Sequence, residues 1–178
     1  MGVPYKFGWI PHEERNYEYP NIWAVEKTTG PERLIIAPSG QHVSLMLEPF
    51  GVLYVLAVPR GEGEPGRYQI PTPASERKVR RFLSRFKEFF EMDGRCNIWV
   101  ASRANSDQLV YDRHNVIYAY GQLPAFESVL LNRGLSKADS VSFPVPHIHR
   151  YNQEFDHDAR EVLRYWHWKW FPLQDEDN

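Results

Sequence analysis

Between residues 72 and 93 the apolar side chains recur at helical spacing, and most of them are phenylalanine. Val79, Phe82, Leu83, Phe86, Phe89 and Phe90 stand at i, i+3, i+4, i+7, i+10 and i+11 of one run. A period of about 3.6 residues puts them on a single stripe. A helix with so many rings on one side is insoluble by itself and needs a broad apolar surface to lie on. Thr72 is placed to cap its start, Pro73 to fill its first helical position, and Asp93-Gly94 to end it.

Extended runs supply that surface. Ile22–Glu26 and Arg33–Ala37 flank the turn-like Thr28-Thr29-Gly30-Pro31. Residues 42–47 and 51–58 flank Glu48-Pro49-Phe50, and Cys96–Ser102 forms a further run. Gln108–Tyr111 and residues 116–120 flank Asp112-Arg113-His114-Asn115. Runs rich in β-branched and aromatic residues between turn residues read as strands in hairpins. Residues 59–71 read as loop. A second helix is predicted from Pro124, with Phe126, Val129 and Leu130 inward, ending at Arg133-Gly134. A short strand is predicted over 140–143. The last helix should run from Asp156 to Pro172, with Phe155, Ala159, Val162, Leu163, Trp166 and Trp170 along one side. Hairpins without strict helix alternation predict an α+β fold, a largely antiparallel sheet packed with about three helices. The length of 178 residues suits a single domain over 1–178. An irregular N-terminal arm over 1–20, laid on the core by Tyr5, Phe7, Trp9 and Ile10, and an acidic tail over 173–178 complete the expectation.

Charge narrows the function classes. The net charge of −2 gives no global attraction to nucleic acid or to an anionic membrane. No run approaches the ~18 apolar residues of a membrane span, and the first twenty residues lack the apolar core of a secretory leader. A cytoplasmic protein that makes no membrane contact is expected. Cys96 is the lone cysteine, so no internal disulfide forms, and it should be a small buried apolar residue.

Three features are candidates for function. Arg77, Arg81 and Arg85 repeat every four residues and line one solvent face, suited to an acidic partner or a nucleic-acid backbone. Trp168, in the run Trp166-His167-Trp168-Lys169-Trp170-Phe171, is placed to point away from the buried side of the last helix, where an exposed indole makes a binding hot spot. The third is the segment 146–158, which holds His147, His149, His157, Glu154, Asp156 and Asp158. In an extended segment residues two apart share a face, so His147 and His149 can point at one ion.

His147-x-His149 with Glu154 matches the HxH-x4-E core of the cupin metal motif over about eight residues. Val141 stands where that motif has glycine, and its second half is missing, so the chain is not read as a cupin. His147, His149 and His157 or Asp158 would suit zinc or iron(II) on another fold. The competing reading makes the histidines half-exposed strand residues, with the carboxylates complementing a helix start. The turn Asp112-Arg113-His114-Asn115 reads as local hydrogen bonding.

The leading expectation is a bacterial interaction protein without catalytic activity or cofactor, an inhibitor or immunity-type partner of another protein. Missing catalytic motifs and abundant aromatic and arginine residues motivate it. The rival is a metal-dependent hydrolase or oxygenase using a divalent metal on the histidine segment. A nucleic-acid-binding domain using the row 77–85 is a weaker third, since nucleic acid is the less favoured partner.

Overall fold

The computed structural model describes residues 5–10, 16–38 and 50–177. In chain order the elements are β1 (Phe7–Trp9), β2 (Ile22–Glu26), β3 (Arg33–Ala37), β4 (Phe50–Leu56), β5 (Gly66–Gln69), α1 (Glu76–Arg85), α2 (Lys87–Met92), β6 (Cys96–Ser102), β7 (Gln108–Tyr111), β8 (Ile117–Tyr120), α3 (Leu123–Asn132), β9 (Ser136–Lys137), β10 (His147–His149), α4 (Asp156–Tyr165) and β11 (Lys169–Phe171). Among the described residues nine strands form one sheet in the order β11-β5-β4-β6-β7-β8-β3-β2-β9, and β1 pairs with β10 separately. Among the strands of the described residues only β2 with β9 is parallel. The α+β class and the largely antiparallel sheet are therefore observed.

Side-chain alternation gives the sheet two working faces. Leu34, Ile36, Tyr54, Ile98, Val100, Leu109, Tyr111 and Ile117 bury against the phenylalanine stripe of α1 and α2 and against Ala159 and Val162 of α4. Phe82, Phe86, Phe89 and Phe90 are all buried, which is the orientation that the helical spacing predicts. The opposite face has its own smaller core of Ala24, Ile35, Ala37, Val116, Tyr5, Phe7 and Tyr19. The ribbon of β1 and β10 lies on this second face, so the N-terminal segment is partly regular. Tyr5 and Phe7 are buried, whereas Trp9 remains 40% exposed.

Several boundaries differ from expectation, each for a physical reason. The first helix begins at Glu76 after Ser75, not at Pro73. Ala74 instead exchanges two backbone hydrogen bonds with Phe50, which holds the chain extended until it has left the sheet. The stripe is split at Phe86, whose φ of −104° and ψ of 18° end α1 and start α2. The segment read as loop contains β5, which pairs with both β4 and β11. The last helix stops at Tyr165, and Trp166 turns extended. Lys169–Phe171 then joins the sheet edge as β11 rather than continuing the helix. In α3 Leu130 is buried, but Val129 is exposed. Residues 140–143 make no strand; the short strand comes earlier, at Ser136–Lys137. The predicted strand over 42–47 lies outside the described residues.

The acidic C-terminal segment is anchored. Asp177 is buried and accepts hydrogen bonds from Arg67 Nε at 2.8 Å and from the Gln174 amide at 2.7 Å. Arg67 also reaches Glu176 at 2.9 Å.

Candidate metal centre

Three histidines from two separate segments converge on the second face. β10 presents His147 and His149 on one side of the strand, and the β7–β8 turn presents His114. One ring nitrogen from each lies within 4.8 Å of the other two. The three ring centroids are 4.7 to 5.2 Å apart.

The turn that carries His114 is held by its own side chains. Asp112 Oδ1 accepts hydrogen bonds from the amides of His114 and Val116, each at 2.9 Å. Asn115 adopts a φ of +62°, the left-handed conformation that asparagine tolerates, and its Oδ1 accepts from Tyr111 Oη at 2.6 Å. The amide of Arg113 donates to Asn97 Oδ1 of β6 at 2.9 Å. These bonds leave His114 little backbone freedom.

The ribbon that carries His147 and His149 is fixed through its neighbours. Phe7 pairs with His149 and Trp9 with His147 across the two strands. Lys6 is fully buried, and its ammonium donates to the carbonyls of Phe90 and Asp112, each at 3.0 Å. One side chain thus ties the β1–β10 ribbon to the turn that bears His114. Burial pushes the Lys6 pKa down to about 8 against the opposing pull of Asp112. At the other end of β10, the Gly94 amide donates to Arg150 O at 2.9 Å. A methyl group at Gly94 would stand 3.2 Å from His149 Cβ and 3.3 Å from the carbonyls of Arg150 and Lys6, so the ribbon can approach this closely only over glycine. Beyond it, buried Arg95 binds Asp93 with two nitrogens, Asp156 at 3.0 Å and Asn152 O at 2.8 Å. That network, rather than a helix-dipole role alone, accounts for Asp156 at the start of α4.

The ring nitrogens are differentiated by their partners. His114 Nδ1 lies 2.8 Å from Asp112 Oδ2, and a carboxylate only accepts, so Nδ1 carries the proton and Nε2 keeps a free lone pair. His147 Nδ1 lies 3.0 Å from Pro144 O, and the same argument frees its Nε2. Histidines that ligate metals are oriented in this way by carboxylate or carbonyl acceptors. Among the described residues His149 Nδ1 is buried with no hydrogen-bond partner. Burial, with repulsion from Arg113 and from His114 and His147 in their protonated forms, pushes the His149 pKa down to about 3, so this ring is neutral across the ordinary pH range. Phe7 lies 5.1 to 5.8 Å from all three imidazoles, and Phe143 lies 5.1 Å from His114, so the rings sit in an apolar aromatic frame.

The other sequence-derived candidates lie elsewhere. His157 is exposed on α4 and does not belong to the cluster; the third member is His114. Trp168 is partly buried, packs within 6.3 Å of Tyr54 and 6.0 Å of Phe82, and donates its indole N–H to Val162 O at 2.9 Å. The exposure expected of a hot spot is missing there because the chain has already left the helix. Arg77, Arg81 and Arg85 are exposed as expected, on the side of the sheet opposite the histidines. Arg85 pairs with Glu161 at 3.1 Å, and neighbouring Arg80 pairs with Glu76, so acidic groups interrupt the row. Sequence reasoning missed His114, although an Asp two residues ahead of a His inside a tight turn is a signal for an oriented imidazole.

No protein-family model, curated protein or solved structure matches the chain. Among the described residues no helix is long and apolar enough to cross a membrane.

Proposed function

We propose that His114, His147 and His149 bind one divalent zinc ion, and that the protein is a zinc-dependent hydrolase. The observation that carries this reading is the joint convergence and orientation of the three rings. Two donate Nδ1–H to fixed acceptors, and the third buries a nitrogen without a partner among the described residues. Leaving a buried polar atom unpaired costs about 1–3 kcal/mol, a penalty that a metal bond would remove.

An all-imidazole set suits zinc, and three protein ligands leave a fourth tetrahedral position for water. Three neutral ligands also leave the full dipositive charge on the ion, which lowers the pKa of bound water to about 7. The oxygenase alternative is less well supported. The common iron(II) arrangement needs a carboxylate ligand beside two histidines, and Asp112, the carboxylate at this cluster, is engaged on His114 Nδ1. Tetrahedral zinc at about 2.0–2.1 Å from each nitrogen requires nitrogen–nitrogen separations of about 3.3 Å. The ligand atoms lie within 4.8 Å of one another, so they have to draw together on binding.

Metal analysis of the full chain purified without added metal tests the reading, followed by titration of metal-free protein with zinc. One equivalent bound by the wild type and lost in His114→Ala, His147→Ala and His149→Ala is expected. Zinc bound equally by all three variants would end the proposal.

A further inference from the structure

The same face of the sheet contains a cavity of about 280 Å³ that shares Asp112 and His114 with the histidine cluster. Strand register builds it. Trp99 stands opposite Val110, and Val110 opposite Tyr118, so the three form one row across β6, β7 and β8. Tyr120 and Arg33 extend the lining, and Glu176 and Asp177 of the anchored C-terminal segment form part of the rim.

Most charges around the cavity are already matched. Arg33 meets Glu26 and the hydroxyl of Tyr120, each at 2.6 Å, and lies over the Tyr118 ring. Asp177 and Glu176 are both held by Arg67. Asp112 is engaged by His114. The guanidinium of Arg113 differs, because among the described residues it has neither an ion-pair partner nor a hydrogen-bond partner. The cavity thus combines a wall of Trp99, Val110 and Tyr118 with one uncommitted, half-exposed planar cation at the end nearest the histidines. Among the described residues the indole N–H of Trp99, buried in the same wall, also has no acceptor.

We infer that this cavity is the substrate site and takes a small organic carboxylate, with its carboxylate on Arg113 and its flat apolar body on Trp99, Val110 and Tyr118. A planar guanidinium matches a carboxylate through two parallel hydrogen bonds. The volume lies just under the ~300 Å³ at which sites for drug-sized ligands begin, which limits the ligand to roughly a single ring. The assignment as a substrate site rests on the proposed metal centre, since the shared His114 is what brings the ligand to the ion.

Benzoate is the probe, titrated by calorimetry into the full chain with and without zinc. Benzoate should bind wild-type protein, and Arg113→Gln should weaken it by about tenfold or more, the effect of losing a charge-assisted pair. Arg77→Gln, on the opposite face, should leave binding unchanged. Benzyl alcohol, which keeps the ring and lacks the charge, should bind wild-type protein no better than benzoate binds Arg113→Gln. The inference is overturned if benzoate fails to bind, if Arg113→Gln binds it as tightly as wild type, or if benzyl alcohol matches benzoate. The two readings separate cleanly. Arg113-dependent benzoate binding in a protein that takes up no zinc supports the carboxylate pocket and removes the metal centre. Zinc binding without benzoate binding does the reverse.

Discussion

Asp112 performs three tasks with one carboxylate: it caps the amides of His114 and Val116 and fixes the proton of His114 Nδ1. Replacement by Asn keeps a cap on the turn but removes the charge and one acceptor facing the imidazole. Asp112→Asn should therefore weaken zinc binding by about 10- to 100-fold, the usual cost of losing such a partner. Isothermal titration checks this, and an unchanged affinity would mean that the ring is oriented by packing alone. Glu91 lies in α2. Among the described residues its fully buried carboxylate has no hydrogen-bond partner, and Lys87 pairs with it at 3.9 Å. Burial pushes its pKa up to about 7, against the pull of Lys87 and Lys6. A raised folded-state value means that the folded state holds the proton more tightly than the unfolded chain. The stability due to this group is fully present below the unfolded value and is lost as pH rises through about 7. Glu91→Gln cannot ionise, so it should gain on wild type between pH 5 and pH 8 by on the order of 2 kcal/mol. Parallel urea melts at the two pH values measure the gain, and a constant difference would place the carboxylate in contact with water.

At the scale of elements, the phenylalanine stripe explains most of what the chain does locally. Phe86 is buried at the junction of α1 and α2 and packs 5.4 Å from Phe82 and 6.2 Å from Phe90. Phe86→Ala should cost about 3–5 kcal/mol in equilibrium unfolding, and a loss below about 1 kcal/mol would mean that the layer refills the space. Gly94 acts on β10 instead of on the core. Gly94→Ala should push the ribbon back by a few tenths of an ångström, with zinc affinity falling several-fold while the unfolding midpoint changes little. Elements with clear patterning, such as the α1–α2 stripe and β2, β3, β6 and β7, are legible in the residues. The strands β5 and β11 are not. β5 hides among Gly, Pro and charge, and β11 hides in a tryptophan-rich run with acceptable helical spacing. Both exist because they pair with each other at the sheet edge, and single-segment patterning contains no record of that pairing.

For the whole molecule, the α+β class follows from hairpins and helices visible along the chain. The site does not, because its two halves lie 33 positions apart, at His114 and His147. His147 and His149 could be placed on one face from strand alternation alone. Their partner could not, since it depends on folding the β1–β10 ribbon over the β7–β8 turn and tying it there through Lys6. Proximity in sequence favoured His157, but α4 turns that residue to solvent. X-ray absorption at the zinc edge on the titrated full chain tests whether this tertiary arrangement forms a zinc site. One zinc with three imidazole nitrogens and one oxygen at about 2.0–2.1 Å is expected, with no ordered zinc in His114→Ala. A first shell with fewer than three imidazoles, or an identical spectrum from His114→Ala, would contradict it.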